Sequence, residues 1–264
     1  SSSSAASDVY KRQAHGTDFT VLYDQKRAQF HIGYDLGTGK LSSSWYDMLA
    51  SEARLTSFTA ISLGQIPVKH WFRLGRLVSD TDGGRSLMSW SGTMFEYLMP
   101  CIFTGSLRGT LLGQSCRAAV TTQKRFMHGK RPWGISESGY YAFDKNMLYQ
   151  YKAFGVPCLG LAPVKEYECV VAPYATVLAL SQQPHEALKN VAELIKAGAL
   201  GEYGLYESVD YTPSHIRTEK GFEIVKSYMA HHQGMSMCAI NNALNDDILV
   251  RRFMAIPCMR ASEL

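Results

Sequence analysis

The sequence lacks the patterns that mark several common classes of protein. Its six cysteines (101, 116, 158, 169, 238 and 258) form no CxxC pair and no compact framework. This spacing argues against a disulfide-stapled scaffold and favours reduced thiols in a cytosolic setting. The histidines show no HExxH or comparable spacing, so we expect no metal. We expect no cofactor either, because the GxG between Asp35 and Gly39 is not framed by the long strand and helix of a dinucleotide site.

Runs of one chemical character are missing too. No apolar stretch reaches the roughly 18 residues that a membrane-spanning helix needs. The net charge is only +4, and no basic run has interleaved aromatic residues, which argues against nucleic acid as a partner. Aromatic residues are plentiful instead: the chain has 15 Tyr, 11 Phe and 4 Trp. With 264 residues, 46% of them apolar, it suits one large domain or part of a bigger one.

The first 15 residues differ in character from the rest. Asp8 to Gln13 resembles the translation of a transposon-end sequencing adapter, a common contaminant of assembled metagenomic reads. The serine-rich residues before it have neither the charged nor the apolar region of a signal peptide. We therefore expect residues 1–15 to be a non-native, disordered leader and residues 16–264 to form the domain. Together with the abrupt end at Leu264, this predicts an open reading frame cut from a longer gene.

Hydrophobic periodicity predicts a mainly α-helical chain. Segments 19–24 and 29–34 are short and β-prone, and they predict a small N-terminal β-hairpin. Roughly seven or eight helices are expected, including those at 44–61, 110–129, 173–183, 184–198, 223–244 and 247–255. Helical hairpins around a cavity lined by acids from the loops would form an α/α-toroid, an architecture common among carbohydrate-active enzymes.

The stretch from Trp133 to Tyr141 is the most suggestive part of the sequence. A single carboxylate, Glu137, lies between small residues, with Trp133 and Tyr140 nearby. Gly134 and Gly139 allow sharp turns and a close approach to a ligand. Aromatic rings beside a carboxylate suit a sugar, because rings cover the apolar faces of a pyranose while the carboxylate handles hydroxyls or the anomeric carbon. The alternative is a buried, hydrogen-bonded glutamate in an aromatic core.

Other stretches repeat this combination of acidic and aromatic residues. Their acids and rings are Glu52, Trp90, Glu96, Tyr206, Glu207 and Asp210. Two of these acids also have a structural alternative to sugar binding. Glu52 would pair with an arginine in a buried ion pair. Glu96, three residues after Thr93, would close a capping box.

Two further stretches contain groups that suit sugar binding. Trp71 and Arg73 lie in a run that mixes rings and cations; it either lines a polar cleft or anchors a loop through Trp71. His231 and His232 are adjacent on a predicted helix and cannot share one face, which disfavours a two-histidine metal site. One of them is expected to contact substrate while the other packs. Gln233, the next residue, is a further candidate.

Eight motifs, in order, resemble the glycoamylase-like domain of cyclic β-1,2-glucan synthases. They span residues 45–54, 70–76, 90–100, 133–138, 172–175, 203–207, 210–213 and 227–235. The resemblance implies an (α/α)6-toroid, which this chain would not complete because six hairpins need about twelve helices. It also implies a retaining transglycosylase that closes linear β-1,2-glucan into a ring through two carboxylates.

The resemblance also implies roles for single residues. Glu137 is expected to be the nucleophile and Glu52 the acid/base, 137 − 52 = 85 residues earlier. Glu96 and Glu207 are rivals for either role and otherwise bind glucosyl hydroxyls. The remaining substrate-binding candidates are Trp71, Arg73, Trp90, Trp133, Tyr140, Tyr206, Asp210, His231 and Gln233.

In that family the domain is one part of a very large bacterial enzyme of the inner membrane. A glycosyltransferase region and a phosphorylase-like region are the implied covalent partners, β-1,2-glucan is the substrate, and the cytoplasmic face of the membrane is the location. This segment is not expected to contact the membrane directly. Two alternatives remain open: an endo-β-1,2-glucanase that hydrolyses the same linkage, and a non-catalytic glucan-binding module.

Overall fold

Short helices joined by long connections make up much of the chain. The computed structural model describes residues 8–10, 12–13, 16–164 and 168–262, so most of the predicted leader (1–7, 11, 14 and 15) lies outside the described residues. The α-helices are α1 (Ala53–Ser62), α2 (Lys69–Arg73), α3 (Met94–Leu98), α4 (Cys101–Thr104), α5 (Leu111–Phe126), α6 (Pro173–Leu178), α7 (Pro184–Lys196), α8 (Ala230–Leu244), α9 (Ile248–Met254) and α10 (Pro257–Ala261). None of these helices is long and apolar enough to cross a membrane.

The strands are short and fall into small antiparallel sheets. The two-stranded sheets pair β1 (Tyr23–Asp24) with β2 (Gln29–Phe30), β3 (Tyr34–Asp35) with β4 (Lys40–Leu41), β5 (Val78–Thr81) with β6 (Gly84–Leu87), β7 (Ser138–Gly139) with β8 (Tyr151–Lys152), and β10 (Leu200–Gly201) with β11 (Gly204–Leu205). A three-stranded sheet has β12 (Ser208–Asp210) between β9 (Val170–Val171) and β13 (Glu223–Val225).

Several helix boundaries follow from local sequence. Thr110 caps α5 by accepting a hydrogen bond from the backbone of Gly113. Pro173 and Pro184 open α6 and α7, where a missing N–H costs nothing. The predicted helix at 110–129 and the helical hairpin at 173–198 are therefore present, with shorter boundaries.

Three predicted boundaries were wrong. The helix expected from residue 44 begins only at Ala53, because Ser51 has a φ of +52° and breaks the helical path. The helix expected from residue 223 begins at Ala230, because Glu223 to Val225 pair with β12 instead. The N-terminal hairpin is present as β1 and β2, but Phe19–Leu22 form a 3₁₀ turn rather than a strand.

The buried apolar side chains of the described residues form two hydrophobic clusters. The larger one joins α3, α5, α6 and α7 and includes the fully buried Tyr97, Ile135 and Leu194. The smaller one packs the N-terminal strands against α1. Trp71 contacts both clusters, so it joins the N-terminal strands to the helical body.

Candidate active site

The stretch that precedes Glu137 is clamped to two helices, α5 and α7. Gln123 of α5 makes two hydrogen bonds to the backbone of Ile135, at 2.9 and 2.8 Å. Asn190 of α7 does the same for Trp133, at 3.0 and 2.8 Å. Gly134 adopts a φ of +120°, which other residues rarely reach. These clamps hold an irregular segment rigidly enough to present one side chain.

Glu137 lies immediately before β7, whose two residues are both buried. Its carbonyl accepts a hydrogen bond of 3.1 Å from the Tyr174 hydroxyl, which also contacts Ser136 Oγ at 2.9 Å. Gly139 pairs with Tyr151 across the two strands. A side chain at position 139 would collide with the Tyr149 ring in its present position, so Tyr149 would have to move. The Glu137 side chain is left half-buried at the edge of a cavity.

That cavity has a volume of about 420 Å³ and brings distant segments together. Its lining consists of Ser51, Glu52, Phe95, Glu137, Tyr151, Met229 and His231. Glu52 is exposed just before α1, and its carboxylate accepts a hydrogen bond from the Ser51 hydroxyl. Two carboxylates and three rings therefore share one open cavity, as expected for a site that handles a sugar.

The two carboxylates of the cavity interact electrostatically. Burial, followed by the negative charges of Glu96 and Glu52, raises the pKa of Glu137 to about 7. The pKa of Tyr46 is raised by burial and then by Glu52 and Glu137, so this phenol also lies within their reach. Glu137 is therefore a carboxyl group that is only partly ionised at neutral pH.

We expect Glu137→Gln to stabilise the chain at alkaline pH. The folded state holds the Glu137 proton up to a pH of about 7, whereas the ordinary value is 4.5. Folding thus takes up a proton between these pH values, and stability falls as the pH rises through this interval. The amide avoids that loss, so at pH 8 the variant should melt higher, by about 2–4 °C for each kcal/mol relieved.

Differential scanning fluorimetry at pH 5 and pH 8 measures this effect. The gain at pH 8 should exceed the gain at pH 5, and the exposed Glu202→Gln should show no such pH dependence. An equal shift at both values would mean that the Glu137 charge is not destabilising.

A network of buried, hydrogen-bonded side chains lies beneath the cavity. Glu207 accepts a 3.0 Å bond from the Gly139 amide, and its second oxygen lies 2.9 Å from His232 Nδ1. His232 Nε2 lies 3.3 Å from the Tyr151 hydroxyl, and its ring stacks on Tyr174 at 3.8 Å. This network therefore connects the buried Glu207 carboxylate to Tyr151, one of the rings that line the cavity.

The two adjacent histidines lie in different environments, as their adjacent positions on one helix indicate. His231 is exposed in the cavity lining, while His232 is buried against Tyr174 and Glu207. Within the described residues no group of three or more His, Cys, Asp or Glu side chains could hold a metal ion.

Glu96 lies beneath the cavity rather than in its lining. It is 2% exposed and closes a capping box with Thr93 at the start of α3. Its carboxylate also accepts bonds from the Ser89 hydroxyl and the Ser91 amide. This placement favours the capping alternative over direct sugar binding, and it leaves Glu96 an electrostatic neighbour of Glu137.

Glu52 forms no ion pair with an arginine among the described residues, which argues against the buried ion pair as its role. Arg54 is buried, and it donates a hydrogen bond to the Tyr97 carbonyl at 3.0 Å. Glu52 points the other way, into the cavity. The two side chains diverge because they lie on opposite sides of the first turn of α1.

The two rings expected to flank Glu137 in a sugar site, Trp133 and Tyr140, do not line the cavity. Trp133 and Tyr140 are 7% and 3% exposed and pack into the interior. Neighbours in an irregular, extended segment point in different directions, so they do not surround the residue between them. The rings of the cavity come from other segments, as Phe95, Tyr151 and His231.

Six other expected binding residues lie outside this lining. Trp71 packs against both core clusters, Arg73 is exposed at the end of α2, and Trp90 is 57% exposed. Gln233 bonds the Leu205 carbonyl, and Tyr206 packs against Tyr228. Asp210 is fully buried and bonds His215 Nδ1 at 2.8 Å. The placements of Trp71, Gln233, Tyr206 and Asp210 support structural roles.

Sequence reasoning missed Ser51, Phe95, Tyr151 and Met229 as lining residues, and Tyr46 as their neighbour. Tyr46, Ser51 and Phe95 lie inside the motifs already singled out, so proximity to an acid in sequence was a usable signal for them. Tyr151 had no such signal, because only the β7–β8 pairing carries it next to Glu137.

Comparison with known proteins identifies the family. The model of the Glycoamylase family, described as putative glucoamylase, matches residues 44–257. The chain belongs to the Glycoamylase family. Its match begins before Glu52 and includes every residue of the cavity lining.

One relative shares substantial sequence. The chain is 42% identical over 254 residues to the cyclic β-(1,2)-glucan synthase NdvB of Rhizobium meliloti (strain 1021). That alignment covers 95% of this chain but 9% of the relative. The chain thus corresponds to a small part of a much larger protein.

Solved structures share the fold at low identity. A putative glucoamylase from Bacteroides caccae superimposes with a TM-score of 0.72 at 13% identity, covering 96% of this chain and 62% of that one. An endo-β-1,2-glucanase from Chitinophaga pinensis, in complex with sophorotriose and glucose, gives 0.66 at 15%, covering 93% and 60%. A β-1,2-glucanase from Parabacteroides distasonis gives 0.69 at 12%, covering 94% and 39%. The chain therefore has a helix-rich, glucoamylase-like fold.

Proposed function

We propose that this chain is a retaining transglycosylase domain that closes linear β-1,2-glucan into cyclic β-1,2-glucan. The observation that carries the proposal is the cavity in which Glu52 and Glu137 face a shared space, although they lie on separate segments. The 42% identity to a cyclic β-(1,2)-glucan synthase supports the choice of substrate and product.

In the proposed mechanism Glu137 attacks the anomeric carbon and forms a glycosyl-enzyme, while Glu52 protonates the departing oxygen. Glu52 then removes the proton from the incoming 2-hydroxyl at the non-reducing end of the same chain, and the bond to Glu137 breaks. The clamps on the backbone at Trp133 and Ile135 support the role of Glu137, because a nucleophile must be held in one place. The exposed position of Glu52 supports proton exchange with solvent between turnovers.

The proposal extends to the parent protein. We propose that the domain belongs to an (α/α)6-toroid that this chain does not complete, and that the parent also contains glycosyltransferase and phosphorylase-like regions. The inner membrane is the proposed site of the parent, with this domain on the cytoplasmic face. The 9% coverage of the relative supports a multidomain parent.

Hydrolysis of the same glucan is the second candidate, because the cavity is open and water can reach the exposed Glu52. An inverting glucanase needs room for a water between the two carboxyl groups, with a gap of about 6.5–9.5 Å rather than about 5–5.5 Å. A transglycosylase must instead favour a sugar hydroxyl over water, and the rings of Phe95 and Tyr151 are placed to exclude solvent once a glucan fills the cavity.

Product analysis on linear β-1,2-glucan tests the proposal. The chain, and the same region in its full-length parent, are incubated with the polymer, and the products are separated by mass spectrometry. We expect rings that lack a reducing end, and their loss in Glu137→Gln. Shorter linear glucans alone would make the domain a hydrolase, and glucan that binds but stays unchanged would make it a binding module.

A further inference from the structure

A second cavity lies on the other side of α1, away from the two carboxylates. It has a volume of about 260 Å³, and neither Glu52 nor Glu137 contributes to its lining. Its walls include Arg54 of α1, Cys101 at the start of α4, Cys116 in the middle of α5 and Met254 at the end of α9. Four helices thus meet around a space that holds two thiols and a guanidinium.

The two thiols face each other. Cys101 and Cys116 are both free, and their Sγ atoms lie 3.8 Å apart. They are 6% and 1% exposed, so the cavity is their route to small molecules. The Tyr97 carbonyl lies 3.2 Å from Cys116 Sγ and 3.5 Å from Cys101 Sγ, which holds both sulfur atoms on the same side of α3.

Arg54 places a buried positive charge against this pair. Its side chain is 5% exposed, and Nη2 lies 3.7 Å from Cys101 Sγ. Nη1 has no hydrogen-bond partner within the described part of the chain, which contains no ion pair to this guanidinium either. A buried charge without a counter-charge is costly, and a thiolate at Cys101 would supply one.

The same surroundings distinguish the two sulfur atoms. The hydrogen bond from Cys116, followed by the charge of Arg54, outweighs burial and lowers the pKa of Cys101 to about 7. The pKa of Cys116 is raised by its bond to Cys101 and by burial. Cys101, whose Sγ contacts the Arg54 guanidinium, is therefore assigned as the attacking cysteine and Cys116 as the resolving cysteine.

We propose that Cys101 and Cys116 form a peroxide-sensitive thiol pair, in which Cys101 is oxidised first and Cys116 closes the disulfide. The Cys101 thiolate attacks one oxygen of hydrogen peroxide, so an S–O bond forms, the O–O bond breaks and hydroxide leaves. The hydroxide takes up a proton and becomes water, and Cys101 is then a sulfenic acid. The Cys116 sulfur attacks the sulfenic sulfur, the S–S bond forms and the S–O bond breaks. The Cys116 proton joins the departing hydroxyl, so a second water leaves. The two thiols lose two electrons in total, and peroxide gains them.

The size of the cavity selects the oxidant. It has room for several molecules of the size of water, each of about 30 Å³, and hydrogen peroxide is little larger. Glutathione disulfide is far bulkier, and both sulfur atoms are less than a tenth exposed. A small neutral peroxide therefore reaches Cys101, while a bulky disulfide is excluded from it.

Oxidation also changes the electrostatic environment of Arg54. The disulfide removes the negative charge beside the guanidinium and ties α4 to α5. Because Arg54 lies two residues after Glu52 at the start of α1, oxidation is expected to lower activity as well. This consequence rests on the proposed function, so the chemical test below uses no activity readout.

Peptide mapping of the full chain gives the test. Trypsin cleaves at Arg108, between the two cysteines, so a disulfide joins two separate peptides. After brief treatment with hydrogen peroxide we expect these peptides to be linked, with a mass lower by two hydrogen atoms and recovery on reduction. The thiol count of the unfolded chain should fall from six to 6 − 2 = 4. Glutathione disulfide should give no link.

Variants test the order of events. In Cys116→Ser the sulfenic acid should persist at Cys101 and react with dimedone, and Arg54→Gln should slow oxidation on the order of ten-fold because less thiolate is present. Arg54→Lys should restore most of the rate, and the exposed Cys158→Ser should change nothing. Peptides that stay unlinked in the unsubstituted chain while Cys158 is oxidised would overturn the proposal even if every variant failed to fold. Faster labelling of Cys116 in Cys101→Ser would overturn the assigned order.

Discussion

Replacing Glu137 with alanine is expected to lower the rate of glucan conversion by at least about 10³-fold, because the variant has no nucleophile. Replacing Glu52 with alanine should cost about 10²- to 10⁴-fold, the range of a lost acid/base group. An aryl β-1,2-linked diglucoside, whose phenolate leaves without a proton, should recover more of its rate in Glu52→Ala than in Glu137→Ala. Steady-state rates of both variants on both substrates give the comparison.

Azide distinguishes the two roles by the configuration of the product. In Glu137→Ala the anion occupies the place of the missing carboxylate and should give an α-glycosyl azide. In Glu52→Ala it attacks the accumulated glycosyl-enzyme and should give a β-glycosyl azide. The β-product requires a covalent intermediate, so an inverting hydrolase would not form it. Products with the opposite configurations would exchange the roles of Glu52 and Glu137.

The pH dependence of the first step bears on the same assignment. A nucleophile must be ionised, and the pKa of Glu137 is raised to about 7. Formation of the glycosyl-enzyme should therefore accelerate as the pH rises through about 7, and a rate that falls over that interval would assign Glu137 as the acid. Pre-steady-state release of the phenolate measures this step alone.

Removing the Glu207 carboxylate is expected to have the largest effect on stability. Its side chain is fully buried, and Glu207→Ala leaves the Gly139 amide and His232 Nδ1 without an acceptor. Removing one partner from a buried pair costs about 3–5 kcal/mol. Urea unfolding, followed by tryptophan fluorescence, should show this loss.

A double-mutant cycle shows whether the loss belongs to the pair. Glu207→Ala and His232→Ala should be non-additive by about 0.5–3 kcal/mol, as for groups in direct contact. Glu223→Ala is a matched control, because this buried glutamate accepts 2.8 Å bonds from the Arg217 and Thr218 amides far from the cavity. It should lose stability without lowering the rate of the folded enzyme. If Glu207→Ala instead raised KM at unchanged stability, Glu207 would be a sugar-binding residue.

Local sequence predicted the helical part of the fold better than the site. Thr110 caps α5, and Pro173 and Pro184 open α6 and α7, because these residues satisfy or remove backbone donors within their own turn. The false helix at 223–229 has the opposite cause: the strand at Glu223 to Val225 forms only because β12 is beside it. A partner from elsewhere in the chain is not visible in local periodicity.

The sequence by itself determined the family and most of the helical framework, because these depend on motifs, caps and glycines that are local, and it predicted the two carboxylates from the same motifs. Only the tertiary structure decided which groups share the cavity. Trp133 and Tyr140 are adjacent to Glu137 in sequence but turn into the core, whereas Phe95, Tyr151 and His231 come from other segments. The physical reason is that burial and strand pairing orient each side chain, and both depend on residues that are distant along the chain.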